Sequence, residues 1–209
     1  MEKSAQTAKE LFNQWAVDYH ADGMEQGHIQ SVKEAFKLIR PSQGNYLEVG
    51  FGNGYGIEYM ASNQYSNGTC FGLDISDEMY KRALARLKQL PNIHLYTGDL
   101  LSWMPPDNTV FSCIFSMEVF YYFKNIQSGI NKAASLLTSG GMLMVLVNYY
   151  TENKESLSWP DDVNVDMTLW SEKEYAEGFD RAGLTGIIQK RLNKNKSAGT
   201  LMTLGFNPN

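Results

Sequence analysis

The sequence is poor in cysteine: Cys70 and Cys113 are too few for a disulfide framework and too far apart for a metal-ligand spacing. Both stand in apolar, strand-like runs, where a cysteine acts as a small core residue, so reduced thiols are expected. No run approaches the ~18 apolar residues of a membrane span, and Met1 to Gln6 carries no apolar leader. A cytoplasmic protein without membrane contact is therefore expected. Histidine is scarce as well. His20, His28 and His94 form no i,i+4 pair, no Ser-His-Asp constellation is visible, and both absences argue against metalloenzyme and hydrolase readings. His94 falls in a strand, as a structural histidine would. Basic charge is also short, with 18 Lys and Arg against 23 Asp and Glu for a net −5. Proteins that grip a nucleic-acid backbone show a basic face. The densest basic segment, Lys190, Arg191, Lys194 and Lys196, reads as a solvated hairpin turn, so no nucleic-acid partner is expected.

What is present is a 209-residue chain with 43% hydrophobic residues, enough for one domain, 1–209, with a sizeable core. Its most informative stretch runs from Tyr46 to Gly56. Buried-type residues lead into Glu48 and then into Gly50, Gly52, Gly54 and Gly56, the pattern of a strand emptying into a turn that opens a helix. Glycine at that density belongs where the backbone takes positive φ or where a ligand approaches closely. The spacing is neither G-x-G-x-x-G nor a phosphate loop ending in Lys-Ser/Thr, which disfavours a nicotinamide-dinucleotide enzyme. It is E-x-G-x-G-x-G. The acidic lead suits a ligand with an ammonium group and would repel a pyrophosphate. The alternative is a strand-turn-helix corner with spare glycines.

Two more acidic residues follow separate strands. Asp74 ends the run Thr69 to Leu73, 20 residues beyond Gly54, a place suited to accepting hydrogen bonds from ribose hydroxyls. Its alternative is a cap for the helix opened by Ser76-Asp77-Glu78. Asp99 follows the strand Ile93 to Tyr96, and Gly98-Asp99-Leu100 resembles the G-D-x region of the class I S-adenosylmethionine-dependent methyltransferases, which implies that its carboxylate and the Leu100 amide meet the N6 donor and N1 acceptor of adenine. A turn-forming Asp is the competing reading. A fourth strand, Val110 to Ser116, runs into Met117-Glu118-Val119-Phe120-Tyr121-Tyr122. A helix with Ile126 and Ile130 then ends at Ser139-Gly140-Gly141, and Met142 to Val147 is a fifth strand.

The ordered set resembles the class I S-adenosylmethionine-dependent methyltransferases, and is similar to their small-molecule members such as the ubiquinone and menaquinone biosynthesis enzymes. The glycine loop resembles their motif I. Phe12-Asn13-x-Trp15-Ala16-x-x-Tyr19 resembles their aromatic lead-in, although Trp15 and Tyr19 equally suit the apolar stripe of an amphipathic helix over residues 5–20. The resemblance implies an α/β Rossmann-like sheet of seven strands, order 3-2-1-4-5-7-6, strand 7 antiparallel, helices on both faces. It implies S-adenosyl-L-methionine as cofactor and S-adenosyl-L-homocysteine as product, held by Tyr19, Glu48, Gly50, Gly52, Gly54, Asp74, Ile75, Asp99, Leu100 and Ser116. Leu101 or Trp103 could join Leu100 around the adenine. Catalytic candidates are His28, Glu118 and Tyr121, with His28 either a base or a cap of a second helix that begins near Ser31 after a break at Asp22-Gly23.

Residues 5–40 are expected to form a helical lid and 148–170, a patternless stretch, a substrate-cap insertion. The expected rim gathers Trp15, Tyr19, Tyr121, Tyr122, Tyr149 and Trp159. Aromatic walls and acidic charge point to a small, partly apolar methyl acceptor, taken on O, N or C, by a monomer or homodimer. The alternatives are an S-adenosylmethionine-binding protein without catalysis and a methyltransferase acting on tRNA or protein.

Overall fold

The computed structural model describes residues 6–18, 20–194 and 198–208. Seven strands, β1 (Asn45–Val49), β2 (Thr69–Asp74), β3 (Ile93–Thr97), β4 (Phe111–Met117), β5 (Leu137–Val147), β6 (Thr185–Leu192) and β7 (Thr200–Phe206), form one sheet. Their order is β3-β2-β1-β4-β5-β7-β6; β1 to β5 run parallel, and β7 enters antiparallel between β5 and β6. This is the expected Rossmann-like methyltransferase arrangement.

Among the described residues seven α-helices surround the sheet: α1 (Ala8–Val17), α2 (His20–Phe36), α3 (Tyr55–Ser62), α4 (Asp77–Leu87), α5 (Ile126–Ser135), α6 (Trp159–Val163) and α7 (Glu172–Arg181). Local chemistry sets their starts. Thr7 with Glu10, and Ser171 with Glu174, build capping boxes, and the Ser76 hydroxyl accepts from the Met79 amide at 3.1 Å. Strand alternation then sorts the core into two layers. Leu47, Val49, Ile114 and Leu143 face α5 and α7 through Ile130 and Phe179. Tyr46, Phe115 and Met144 face the opposite way, onto Phe36 of α2, Ile57 and Met60 of α3 and Ala83 of α4. Covering helices on both faces explain why β1 and β4 are buried nearly throughout.

Four expectations need correction. Asp22-Gly23 does not break the helix: α2 runs through Gly23 and Gly27, and the interruption falls earlier, between Val17 and His20. Each glycine costs a helix about 1 kcal/mol, and tertiary contacts outweigh that, since Arg82 and Arg86 of α4 grip Asp22 and Glu25 on α2. The helix opened by the glycine loop, expected from its sequence to run from Tyr55 to about Tyr65, is α3 and stops at Ser62. α5 stops at Ser135, and Ser139-Gly140-Gly141 belong to an irregular start of β5, where Gly140 N–H and Gly141 C=O pair with Asn207 at 2.8 Å each. Lastly, 148–170 is not patternless in space. It holds a 3-10 turn at Lys154–Ser156 and α6, and is tied down by Thr168 N–H to Tyr121 C=O at 2.7 Å. Among the described residues no helix is long and apolar enough to cross a membrane.

Ile114 lies fully buried in β4 with strands on both sides. Ile114→Ala should lower unfolding free energy by about 2 to 5 kcal/mol, whereas Leu101→Ala, at a 42% exposed position, should stay within about 0.5 kcal/mol. Urea midpoints of the two variants check this; equal losses would contradict the core described.

Candidate cofactor and active site

The strand order reverses between β1 and β4, and the loops leaving the carboxyl ends of β1, β2, β3 and β4 meet there. Glu48, on β1, is 4% exposed and accepts the Tyr46 hydroxyl at 2.8 Å. Gly56 leaves room for it, because a Cβ there would stand 2.5 Å from Glu48 Oε1. Burial pushes the Glu48 carboxyl up to about 8, with the Tyr46 hydroxyl pulling the other way and Asp74 adding to the rise. Gly52 takes φ +54, and nothing lies within 4 Å of the place a Cβ would fill. The loop therefore presents bare backbone to an open space.

Asp74 ties the second loop to the first. Its Oδ2 accepts the Gly52 amide at 2.8 Å and its Oδ1 the Ser76 amide at 2.9 Å. Burial still carries its carboxyl up to about 6, against those amides. After β3, Asp99 is exposed and accepts the Leu101 amide at 3.0 Å, a turn-capping bond, while Leu100 is buried. After β4, Glu118 takes left-handed backbone, φ +59. Its carboxylate accepts the Asn148 amide and, at 3.0 Å, the Tyr121 hydroxyl, and burial raises it to about 7.

Across the mouth lie α1 and α2. Glu25 accepts Asn53 Nδ2 at 2.7 Å and Arg86 Nη1 at 2.8 Å; Arg86 holds its carboxyl below the usual range. Phe12 meets Tyr122 edge to face at 5.4 Å. His28 sits in the middle of α2, so it is no helix cap, and has no hydrogen-bond partner among the described residues. It is half-buried on the cavity wall, and burial lowers its pKa to about 4.

These elements enclose a cavity of about 210 Å³. Of the expected cofactor residues it brings together Glu48, Gly50, Gly52, Asp74, Ile75, Asp99 and Leu100, with His28 and Glu118 of the catalytic candidates. Three are elsewhere. Gly54 starts α3 with its back to Ala83, Ser116 is buried with its hydroxyl donated to the Val49 carbonyl at 2.9 Å, and Tyr121 lies behind the lining, against Glu118 and Tyr122. Tyr19 lies outside the described residues. Of the expected rim, Tyr122 lines the cavity; Trp15 packs on Phe12, while Tyr121, Tyr149 and Trp159 continue from Tyr122 as a chain of ring contacts behind the lining. Trp103 packs on Tyr96 and Phe111, away from any adenine position, and Leu101 is exposed off the lining. Missed by sequence reasoning were Met24 and Glu25, which carry no periodic signal once α2 is started too late, and Asn53 and Gly56, which stand within the run of glycines.

Residues 47–145 match the family described as methyltransferase domain. The methyltransferase bound to the Haloferax volcanii Trm112 methyltransferase activator superposes with TM-score 0.86 at 28% identity, covering 99% of this chain and 100% of that one. The N-methyltransferase NodS from Bradyrhizobium japonicum, in complex with S-adenosyl-L-homocysteine, superposes at 0.67 with 18% identity over 88% and 87% of the two chains. A SAM-dependent methyltransferase from Aquifex aeolicus gives 0.69 and 16%, over 90% and 97%. Likenesses at 18% and 16% speak for the fold. No curated protein sequence matches the chain. Sheet order, glycine loop and family match together define a class I methyltransferase domain. Residues 47–145 are thus a methyltransferase domain, with S-adenosylmethionine as the cofactor.

An acid whose pKa is higher folded than unfolded keeps its proton longer in the native state, so stability falls as pH rises through that window. For Glu48 the window runs from about 4.5 to about 8. The melting temperature of the ligand-free protein should therefore drop between about pH 6.5 and 8, and Glu48→Gln should flatten the drop. Superimposable profiles would remove the Glu48 carboxyl from this account.

Proposed function

We propose that the enzyme methylates an O, N or C nucleophile of a small-molecule acceptor. Glu48 would meet the cofactor's ammonium group, the backbone at Gly50 and Gly52 its methionine chain, Asp74 the ribose hydroxyls, and Asp99 with the Leu100 amide the adenine. The residues suit such a ligand: Gly52 leaves a cradle that a Cβ would fill, and the Asp74 carboxylate, though it accepts backbone amides, keeps acceptor capacity for a hydroxyl. Bound S-adenosylmethionine supplies an electrophilic methyl on a sulfonium, so what the protein contributes is alignment, exclusion of water and custody of a proton.

The observation that carries the small-molecule reading is the cavity itself, narrow, walled by Phe12, Tyr122 and Phe123, and roofed by Met24 and His28 of α2. On this reading residues 5–40 act as the lid. Residues 148–170 act on the acceptor side indirectly, through the Asn148 amide on Glu118 and the Trp159–Tyr149–Tyr121 contacts. With its pKa drawn down to about 4, His28 stays neutral at pH 7 and is a poor proton acceptor, which leaves Glu118 as the better base. A second reading has one observation behind it: the Haloferax volcanii methyltransferase, so alike over its whole length, is in complex with a protein activator. On that reading this chain takes a protein partner and a macromolecular acceptor.

Labelled-methyl transfer run in parallel on a metabolite extract, tRNA and protein separates the two; label confined to the macromolecular fractions would reject the first. Gly52→Val should abolish S-adenosylhomocysteine binding in calorimetry while the fold persists. Asp74→Ala should weaken binding by about 1.5 to 3 kcal/mol, the worth of hydrogen bonds to a charged group. Unchanged affinity in either folded variant would displace that residue from the cofactor.

A further inference from the structure

The charges on the cavity wall restrict what can be methylated. Among the described lining residues there are five carboxylates, Glu25, Glu48, Asp74, Asp99 and Glu118, and no lysine or arginine. Four have a stated occupation. Glu25 is paired with Arg86, Asp74 and Asp99 hold backbone amides, and Glu48 lies behind the glycine loop against Tyr46. Glu118 is the fifth: held by one amide and one phenol, it meets no protein cation among the described residues, like Glu48, Asp74 and Asp99, but it follows β4, on the side of Tyr122 and Phe123.

The backbone delivers it to the acceptor side. Left-handed φ at Glu118 turns the chain sharply off β4. The next residue, Val119, lies against Gly50, its Cγ2 2.2 Å from where a Gly50 Cβ would stand. Glu118 therefore sits beside the glycine loop, in the same cavity as the Phe12, Tyr122 and Phe123 rings. The tyrosines and the histidine near it are uncharged at neutral pH, and the other ionisable residues of the lining are acids. Burial raises Tyr55 from α3, Tyr121 and Tyr122 from the turn after β4, and Tyr175 from α7, and it keeps His28 from α2 neutral.

We propose that the acceptor is an amine that enters as an ammonium ion, its charge held by the Glu118 carboxylate and its apolar part by the rings of Phe12, Tyr122 and Phe123. The proposal rests on the small-molecule reading above and names its substrate class. An ammonium gains a charge-assisted hydrogen bond and the attraction of aromatic faces, whereas a carboxylate or phosphate acceptor would find only repulsion here. The proton balance closes without another reagent. Glu118 takes one proton from the ammonium; the freed nitrogen lone pair forms the N–C bond, the S–C pair stays on sulfur, and the product leaves as a methylated ammonium.

The test uses the full chain saturated with S-adenosylhomocysteine at pH 7.5, probed by thermal shift and calorimetry with benzylamine, phenethylamine and cyclohexylamine against benzoate and benzyl alcohol. At least one amine should bind with a dissociation constant tenfold or more below that of benzoate. Glu118→Gln should weaken that amine at least tenfold and leave benzyl alcohol unchanged. Glu118→Asn, which suits left-handed backbone, serves if the glutamine variant does not fold, and the S-adenosylhomocysteine shift reports an intact site in either variant. Benzoate binding as tightly as the amines, no amine binding at all, or wild-type amine affinity in a folded Glu118 variant would each overturn the inference. An S-adenosylhomocysteine shift without amine binding sinks only this inference. Its absence from wild type would instead sink the cofactor-residue assignment, and amine binding to the ligand-free chain would then decide the matter.

Discussion

A carboxylate taken out of water must be neutralised, hydrogen-bonded or met by a positive charge, and three of them stand at the carboxyl ends of adjacent strands here. Much of the local architecture answers that constraint. Tyr46 donates to Glu48 from the same face of β1, and Gly56 lacks the Cβ that would collide with it. Asp74 is met by amides of its own turn and of the glycine loop, which locks two loops from neighbouring strands to one another. Glu118 is met by an amide from beyond β5 and a phenol from its own turn. None of these donors carries charge, so all three carboxyls remain displaced upward, to about 8, 6 and 7.

Helix α2 is held by the opposite arrangement, charge against charge. Arg82 reaches Asp22 at 2.6 Å, and Arg86 bridges Glu25 on α2 and Glu58 on α3. Half-exposed pairs of this kind are worth up to about 1 kcal/mol each, far less than a packed core face. The two ends of α2 accordingly differ. Its C-terminal part is anchored by Val32, Ala35 and Phe36 in the core, while the part carrying Met24 and Glu25 rests on ion pairs and the Asn53 amide. The weaker end covers the cavity, as entry of a large ligand requires.

How much of this was legible depends on where the information lay. The order of strands, the glycine loop and the acidic residues after β2 and β3 were readable because local rules set them: strand-ending carboxylates, Ser76 as a cap, positive φ at Gly52. The placement of Ser116 was not, since it depends on which side of a doubly covered strand a hydroxyl faces. Nor was the continuity of α2, because Gly23 and Gly27 speak against a helix locally and only Arg82 and Arg86, some 60 positions later, speak for it. Ser139-Gly140-Gly141 misled for the same reason: its backbone groups are satisfied by Asn207, which no window around residue 140 contains. Glu118 was legible as a neighbour of the reaction but not as an uncompensated charge, which takes the whole cavity wall to see.

That missing compensation has a direction. The cofactor carries a sulfonium and its product a neutral thioether, so a wall of carboxylates without a facing lysine or arginine favours the charged form. Two unit charges about 4 Å apart attract by about 4 kcal/mol at an effective dielectric of 20. A small fraction of that difference weakens retention of the product relative to the reactant. The same field acts on the lid, because Glu25 lines the cavity while it holds Arg86. A cation inside competes with Arg86 for Glu25, whereas a neutral ligand does not. The charge state of the occupant is thereby coupled to the ion pairs that keep α2 in place.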